Sequence, residues 1–119
     1  MKIYYREKSG GIEILRCFGM GGRVEIPGMI EDKLVVSAAP YAFSSHMDEK
    51  EELKNACLWK VSDGLGFGRE EHVLAGNDVE EIVFPDTLKE IGRYIFYGCG
   101  NLRKLEFSDS LMQIGCGAF

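Results

Sequence analysis

No apolar run in this chain of 119 residues is long enough to cross a membrane, and none near the start is long enough for a secretory leader. The opening Met1-Lys2-Ile3-Tyr4-Tyr5-Arg6-Glu7-Lys8 interrupts its apolar residues with charges. These absences predict a cytoplasmic chain with no membrane partner. Positive charge is also short. Fourteen lysines and arginines face 19 aspartates and glutamates, for a net charge of −5. Phosphate binding needs a basic footprint, so nucleic acid is not an expected partner. Only two histidines, His46 and His72, are present. The cysteines Cys17, Cys57, Cys99 and Cys116 contain no C-x-x-C pair, which leaves a zinc site without support. An even cysteine count permits two disulfides in a secreted chain. In a reducing cytosol the same residues are expected as free thiols acting as small buried hydrophobes.

What is present is a repeat. Val79-Glu80-Glu81-Ile82-Val83-Phe84 lies over Leu102-Arg103-Lys104-Leu105-Glu106-Phe107 at an offset of 23 residues. The match continues through Asp86/Asp109, Leu88/Leu111, Ile91/Ile114, Gly92/Gly115 and Phe96/Phe119. Apolar residues two apart, as at Ile82 and Phe84, follow the strand period, with Glu81 and Val83 on the opposite side. Pro85 lacks a backbone donor and ends the strand. Leu88 and Ile91, three apart, predict a tight turn or a short 3₁₀ stretch. Gly92 suits positive φ or a close backbone approach. One such unit cannot close a core around its phenylalanines, so the units must stack. Burying each Phe side chain is worth roughly 1.5–3 kcal/mol.

Ile82-x-Phe84-Pro85, Leu88-x-x-Ile91-Gly92 and Phe96-Tyr97-Gly98-Cys99, repeated as Leu105-x-Phe107, Leu111-x-x-Ile114-Gly115 and Ala118-Phe119, resemble the BspA-like class of bacterial leucine-rich repeats. The resemblance covers residues 79–119. It implies an α/β chain wound as a right-handed leucine-rich-repeat solenoid, with parallel strands on a concave face and irregular turns opposite. Relatives of this kind are commonly surface proteins that bind other proteins or host ligands.

The whole chain reads as one domain. Residues 1–22 form an N-terminal β-hairpin cap, with Ile3-Tyr4-Tyr5 and Ile12-Glu13-Ile14-Leu15 as strands around Ser9-Gly10-Gly11. Residues 23–43 are a divergent repeat, because Val24-Glu25-Ile26-Pro27 echoes Ile82-Val83-Phe84-Pro85. Five extra residues are expected within Gly28 to Lys33, after which Val35, Ala38 and Ala39 stand for Leu88, Ile91 and Gly92. Residues 44–78 are an insertion. Ser45-His46-Met47-Asp48 and the following glutamates predict one inserted helix over 46–58, with Cys57 on its buried face. Residues 79–101 are a complete repeat and 102–119 an incomplete one.

Chemistry is thin along this chain. Gly64, Gly66 and Gly68 form no phosphate cradle, since Arg69-Glu70-Glu71 follows where a lysine or a further glycine is needed. Cys57 with either histidine would mimic an activated thiol, but no spacing supports it. Asp86 and Asp109 recur in register; aspartates after a strand ordinarily satisfy their own turn rather than hold calcium. No cofactor, metal or catalytic residue is expected. The candidate binding surface is the concave face, through Arg23, Glu25, Glu81, Val83, Lys104 and Glu106. The expected function is a non-enzymatic module for protein–protein interaction. The alternatives are a structural cap for a longer solenoid, or a small enzyme with its site in 44–78. The last repeat lacks a cap around Leu105, Phe107, Leu111 and Ile114. Two readings compete there: a longer repeat protein, or a homodimer through the uncapped C-terminal coil, which Leu111→Glu weakens.

Overall fold

The computed structural model describes residues 1–19, 21–45, 53–60, 72–107 and 109–118. Among them the chain runs through β1 (Lys2–Lys8), β2 (Gly11–Gly19), β3 (Arg23–Glu25), β4 (Met29–Ile30), β5 (Lys33–Ala38), β6 (Cys57–Lys60), β7 (His72–Val73), β8 (Glu81–Val83), β9 (Glu90–Ile91), β10 (Lys104–Glu106) and β11 (Gln113–Ile114). The one helical element among the described residues is a single 3₁₀ turn, Gly76–Asp78. Where an α/β class was expected, the regular elements among the described residues are mostly strands, with almost no helix. Among the described residues no helix is long and apolar enough to cross a membrane.

The hairpin β1–β2 is antiparallel, from Lys2 opposite Phe18 to Lys8 opposite Gly11. Its two-residue turn puts Ser9 at φ 52° and Gly10 at φ 82°. Two consecutive positive φ values match the twist of paired strands, and a glycine at the second accepts them readily. The extra residues of the first repeat make a second hairpin of the same kind. There β4 pairs with β5, and Glu31 and Asp32 both turn left-handed.

Beyond the hairpins the strands stack in two parallel ladders. In the first, β8 lies between β3 and β10, so that Val24, Ile82 and Leu105 share one row. In the second, β5, β9 and β11 follow one another, with Ala38 beside Ile91 and Ile91 beside Ile114. Each 23-residue unit thus contributes one strand to each ladder and forms one layer. Glu90 and Ile91, expected in a turn, are strand. The tight turn lies just before them, where the Leu88 N–H donates to the Pro85 carbonyl at 3.2 Å.

The second ladder continues into the hairpin, because β2 pairs with β5 in parallel. β6 adds antiparallel to β1, and β7 to the end of β2. The larger sheet is therefore mixed, with its antiparallel pairs around the hairpin, whereas β3, β8 and β10 pair in parallel throughout.

The helix expected over 46–58 is not found in its describable part; residues 46–52 lie outside the described residues. Residues 53–55 are a turn, with Asn55 left-handed at φ 66°. That conformation, which asparagine tolerates, stops a helix. Cys57-Leu58-Trp59-Lys60 then fill the open edge of β1 and satisfy its backbone groups.

The core gathers Ile3, Ile12, Ile14, Val24, Val35 and Phe43 with Ile82, Phe84, Ile91 and Phe96. Its phenylalanines continue from layer to layer. Phe43 stacks on Phe96 with ring centroids 6.2 Å apart, and Phe84 on Phe107 at 6.1 Å. Phe84 and Phe96 are buried, while Phe107 in the outer described layer is 36% exposed. Phe119 lies outside the described residues.

Candidate functional site

The alternation of the first ladder decides which side chains meet solvent. Val24 and Ile82 turn into the core and Leu105 is half-buried, so their neighbours turn outward. The register then brings all six candidate residues onto one surface. Arg23, Glu81 and Lys104 form one row, and Glu25, Val83 and Glu106 the next.

Charge on this surface is paired within itself. Arg23 Nη1 lies 3.2 Å from Glu25 Oε2 and its Nε 3.5 Å from Glu81 Oε2. Lys104 Nζ lies 3.3 Å from Glu106 Oε1, and Arg103 joins at 3.7 Å from Glu81. These pairs are exposed, with the exception of the partly covered Glu81. Each is worth about 0–1 kcal/mol in water. A partner that replaces them loses little. Val83 stands uncharged in the middle of the acidic row, half-buried between Glu25 and Glu106.

The other residues singled out in the sequence are not assembled. Cys57 lies opposite Tyr5, whereas His72 lies opposite Gly19. Tyr5 pairs with Ile14, so the two are separated by five residues of strand, about 16 Å. They form no thiol–imidazole pair. His46 and the glycines at 64, 66 and 68 lie outside the described residues. Asp86 and Asp109 are exposed in turns. Among the described residues no group of three or more His, Cys, Asp or Glu is placed to hold a metal.

The thiols are free, but only one is a fully buried hydrophobe. Burial pushes Cys17 up to about 12, leaving it an inert thiol. Cys99 is half-buried; burial raises its pKa, and its Sγ donates to the Phe43 carbonyl at 3.2 Å. Cys57 and Cys116 are exposed, which corrects the buried face expected for Cys57.

Two polar clusters in β2 carried no sequence signal. Glu13 is 3% exposed, and its carboxylate is held by Arg6 Nε at 2.7 Å and Lys8 Nζ at 3.2 Å. Lys8 reaches on to Glu90 at 3.3 Å. Burial works against the Lys8 ammonium, but bonds and charges from Glu13 and Glu90 outweigh it and hold its pKa above the ordinary lysine value. Arg16, also 3% exposed, donates to backbone carbonyls in the Tyr41–Ser44 turn. A charged residue inside a strand reads as a solvated face in the sequence. Only the second cover over β2 makes it buried.

Comparison with known proteins gives one match. Residues 70–119 fit the model described as BspA type leucine rich repeat region (6 copies). No curated protein and no solved structure matches the chain. The match spans β7 to β11 and includes the strands β8 to β11, where the parallel ladders repeat at 23 residues. Over residues 70–119, then, the chain is similar to BspA-type leucine-rich repeats.

Proposed function

We propose that this chain is a non-enzymatic module for protein–protein interaction, wound as a right-handed solenoid. The first parallel ladder forms its concave binding face. The observation that carries the reading is the in-register alignment of Arg23, Glu81 and Lys104 beside Glu25, Val83 and Glu106. Stacked repeats present such rows as an extended surface, and the similarity of residues 70–119 to this family points to protein partners in general. Complementary charge on a partner would exchange for the weak pairs within the face, and Val83 would be covered at its centre.

The test is affinity capture from native cell extract, read by mass spectrometry. The double variant Arg23→Glu/Lys104→Glu is expected to lower the yield of specific partners about tenfold. Lys54→Glu, in an exposed turn, is expected to keep them. Equal capture by the double variant, or no specific partner for the unmodified chain, rejects the reading.

The outer layer supports a second mode of association. Met112 is 81% exposed and Ile114 48%, beside β10 and β11, each of which is paired on one side only among the described residues. A second copy covering this apolar edge would give a homodimer. Sedimentation equilibrium is expected to show a dimer that Ile114→Glu turns into monomer. A wild-type monomer at high micromolar concentration removes this mode.

A further inference from the structure

A groove of about 360 Å³ runs over the second ladder, away from the candidate protein-binding face; its rim carries Lys8, Glu13, Ser37, Glu90, Arg93 and Gln113. Packing makes it hollow. Ala38 and Ile91 turn into the core. Gly92 and Gly115 also line it, and neither has room for a side chain. A Cβ on Gly92 would sit 2.6 Å from the Ala39 carbonyl carbon, and one on Gly115 2.7 Å from the Gly92 carbonyl carbon. The stacking that brings the layers together therefore keeps this part of the floor as bare backbone.

The rim is polar, preorganised and balanced in charge. Arg6, Glu13, Lys8 and Glu90 form a continuous ion-pair chain, and the Ser37 hydroxyl donates to Glu13 at 3.3 Å. These groups are largely satisfied. What is left for a ligand is more specific. Lys8 bonds one oxygen of Glu90, Oε2, and the other is not bonded among the described residues. The side chains of Arg93 and Gln113 make no hydrogen bond or ion pair among the described residues. Gln113 lies beside Glu90 in the ladder, about 4.8 Å away between strands.

The ligand must therefore donate to a carboxylate, accept from a guanidinium, and do both with an amide. An anion would meet Glu13 and Glu90, and a cation would meet Lys8 and Arg93. Adjacent hydroxyl groups meet all three requirements without net charge, since each has one donor and two acceptor positions. We propose that this groove binds a neutral carbohydrate. Neighbouring ring hydroxyls donate to Glu90, accept from Arg93 and exchange bonds with Gln113, and the ring lies over the bare backbone at Gly92 and Gly115. The volume is near the lower end of ligand sites, about 300–1,000 Å³, and suits a mono- or disaccharide. An open groove of this kind implies millimolar affinity, because little of the ligand is enclosed.

The test is an amide ¹H–¹⁵N titration of the full chain with maltose, cellobiose, lactose and N,N′-diacetylchitobiose, beside a blocked Gly-Ser-Gly peptide. At least one disaccharide is expected to shift the amides of Glu90, Arg93 and Gln113 with a millimolar Kd. Arg93→Ala and Gln113→Ala change exposed side chains and should leave the melting temperature in place. Each is expected to raise that Kd about fivefold, with Lys104→Ala on the other ladder binding as wild type. The proposal is overturned if no sugar shifts these amides, if the shifts lie outside the groove, if both groove variants bind as wild type, or if the peptide alone is bound.

Discussion

Gly92→Ala is expected to lower the stability of the chain by about 3 kcal/mol, near the upper end of what overpacking costs. The new methyl would lie 2.6 Å from the Ala39 carbonyl carbon and 2.7 Å from the Pro40 Cα, closer still to the Pro40 nitrogen. All three are backbone atoms, so no rotamer change relieves the clash. The layers would have to part, and two ladders bind them together. The Gly92 N–H donates to the Ala38 carbonyl at 2.8 Å, and Ile91 lies beside Ala38 in register. Gly115 makes the same approach to the Gly92–Arg93 backbone, but it belongs to the outer described layer, where β11 is paired on one side only among the described residues. Gly115→Ala should therefore cost less, about 1 kcal/mol, because that layer can shift outward. Thermal unfolding followed by circular dichroism measures both. The Gly92 variant should melt roughly 12 °C lower. An unchanged melting temperature would mean that the ladders are not rigidly stacked.

Ala39 shows why this slot is glycine only from the second layer onward. Ala39 stands where Gly92 stands one layer later, yet it carries a methyl group. Its N–H donates to the Ile14 carbonyl of β2, so its neighbour is the hairpin rather than an earlier copy of the repeat. The spacing of Ile82, Phe84, Leu88, Ile91 and Gly92 in the sequence was enough to give the repeat and its outward residues. It was also enough to align the divergent first unit, because each apolar position has one partner in the next layer. Residues outside that periodicity were not legible. β6 and β7 are placed by the free edges of a distant hairpin, and short segments such as Cys57–Lys60 have no preference strong enough to announce a strand. The groove over the second ladder was hidden for another reason. Glu13 and Lys8 come from the hairpin and Glu90 from a repeat 77 residues beyond Glu13, and only pairing of β2 with β5 and of β5 with β9 brings them together.

Arg16→Met is expected to cost about 3 kcal/mol, in the range for leaving buried polar groups without their charged partner. The reason lies in how the turns of successive layers bond. The N–H groups of Tyr41, Phe43 and Ser45 donate to the carbonyls of Arg93, Ile95 and Tyr97 in the next layer, at 3.0–3.1 Å. Ala42 and Ser44 are the first-layer counterparts of Ile95 and Tyr97, so their carbonyls face the side where no earlier repeat lies. Arg16 supplies the donors instead. Its Nη1 lies 2.8 Å from the Ser44 carbonyl, 3.0 Å from that of Tyr41 and 3.2 Å from that of Ala42. A methionine fills similar volume but donates nothing, and Ser44 is fully buried, so water has no ready route to replace the lost bonds. Arg16→Lys keeps the charge without the planar fork and should reach fewer of these carbonyls, costing about half as much. Urea unfolding separates the cases. The Met variant should have the lowest midpoint, the Lys variant an intermediate one, and both the wild-type slope. A Met variant as stable as wild type would show that the guanidinium merely occupies its place, and that the carbonyls of the first turn are satisfied in another way.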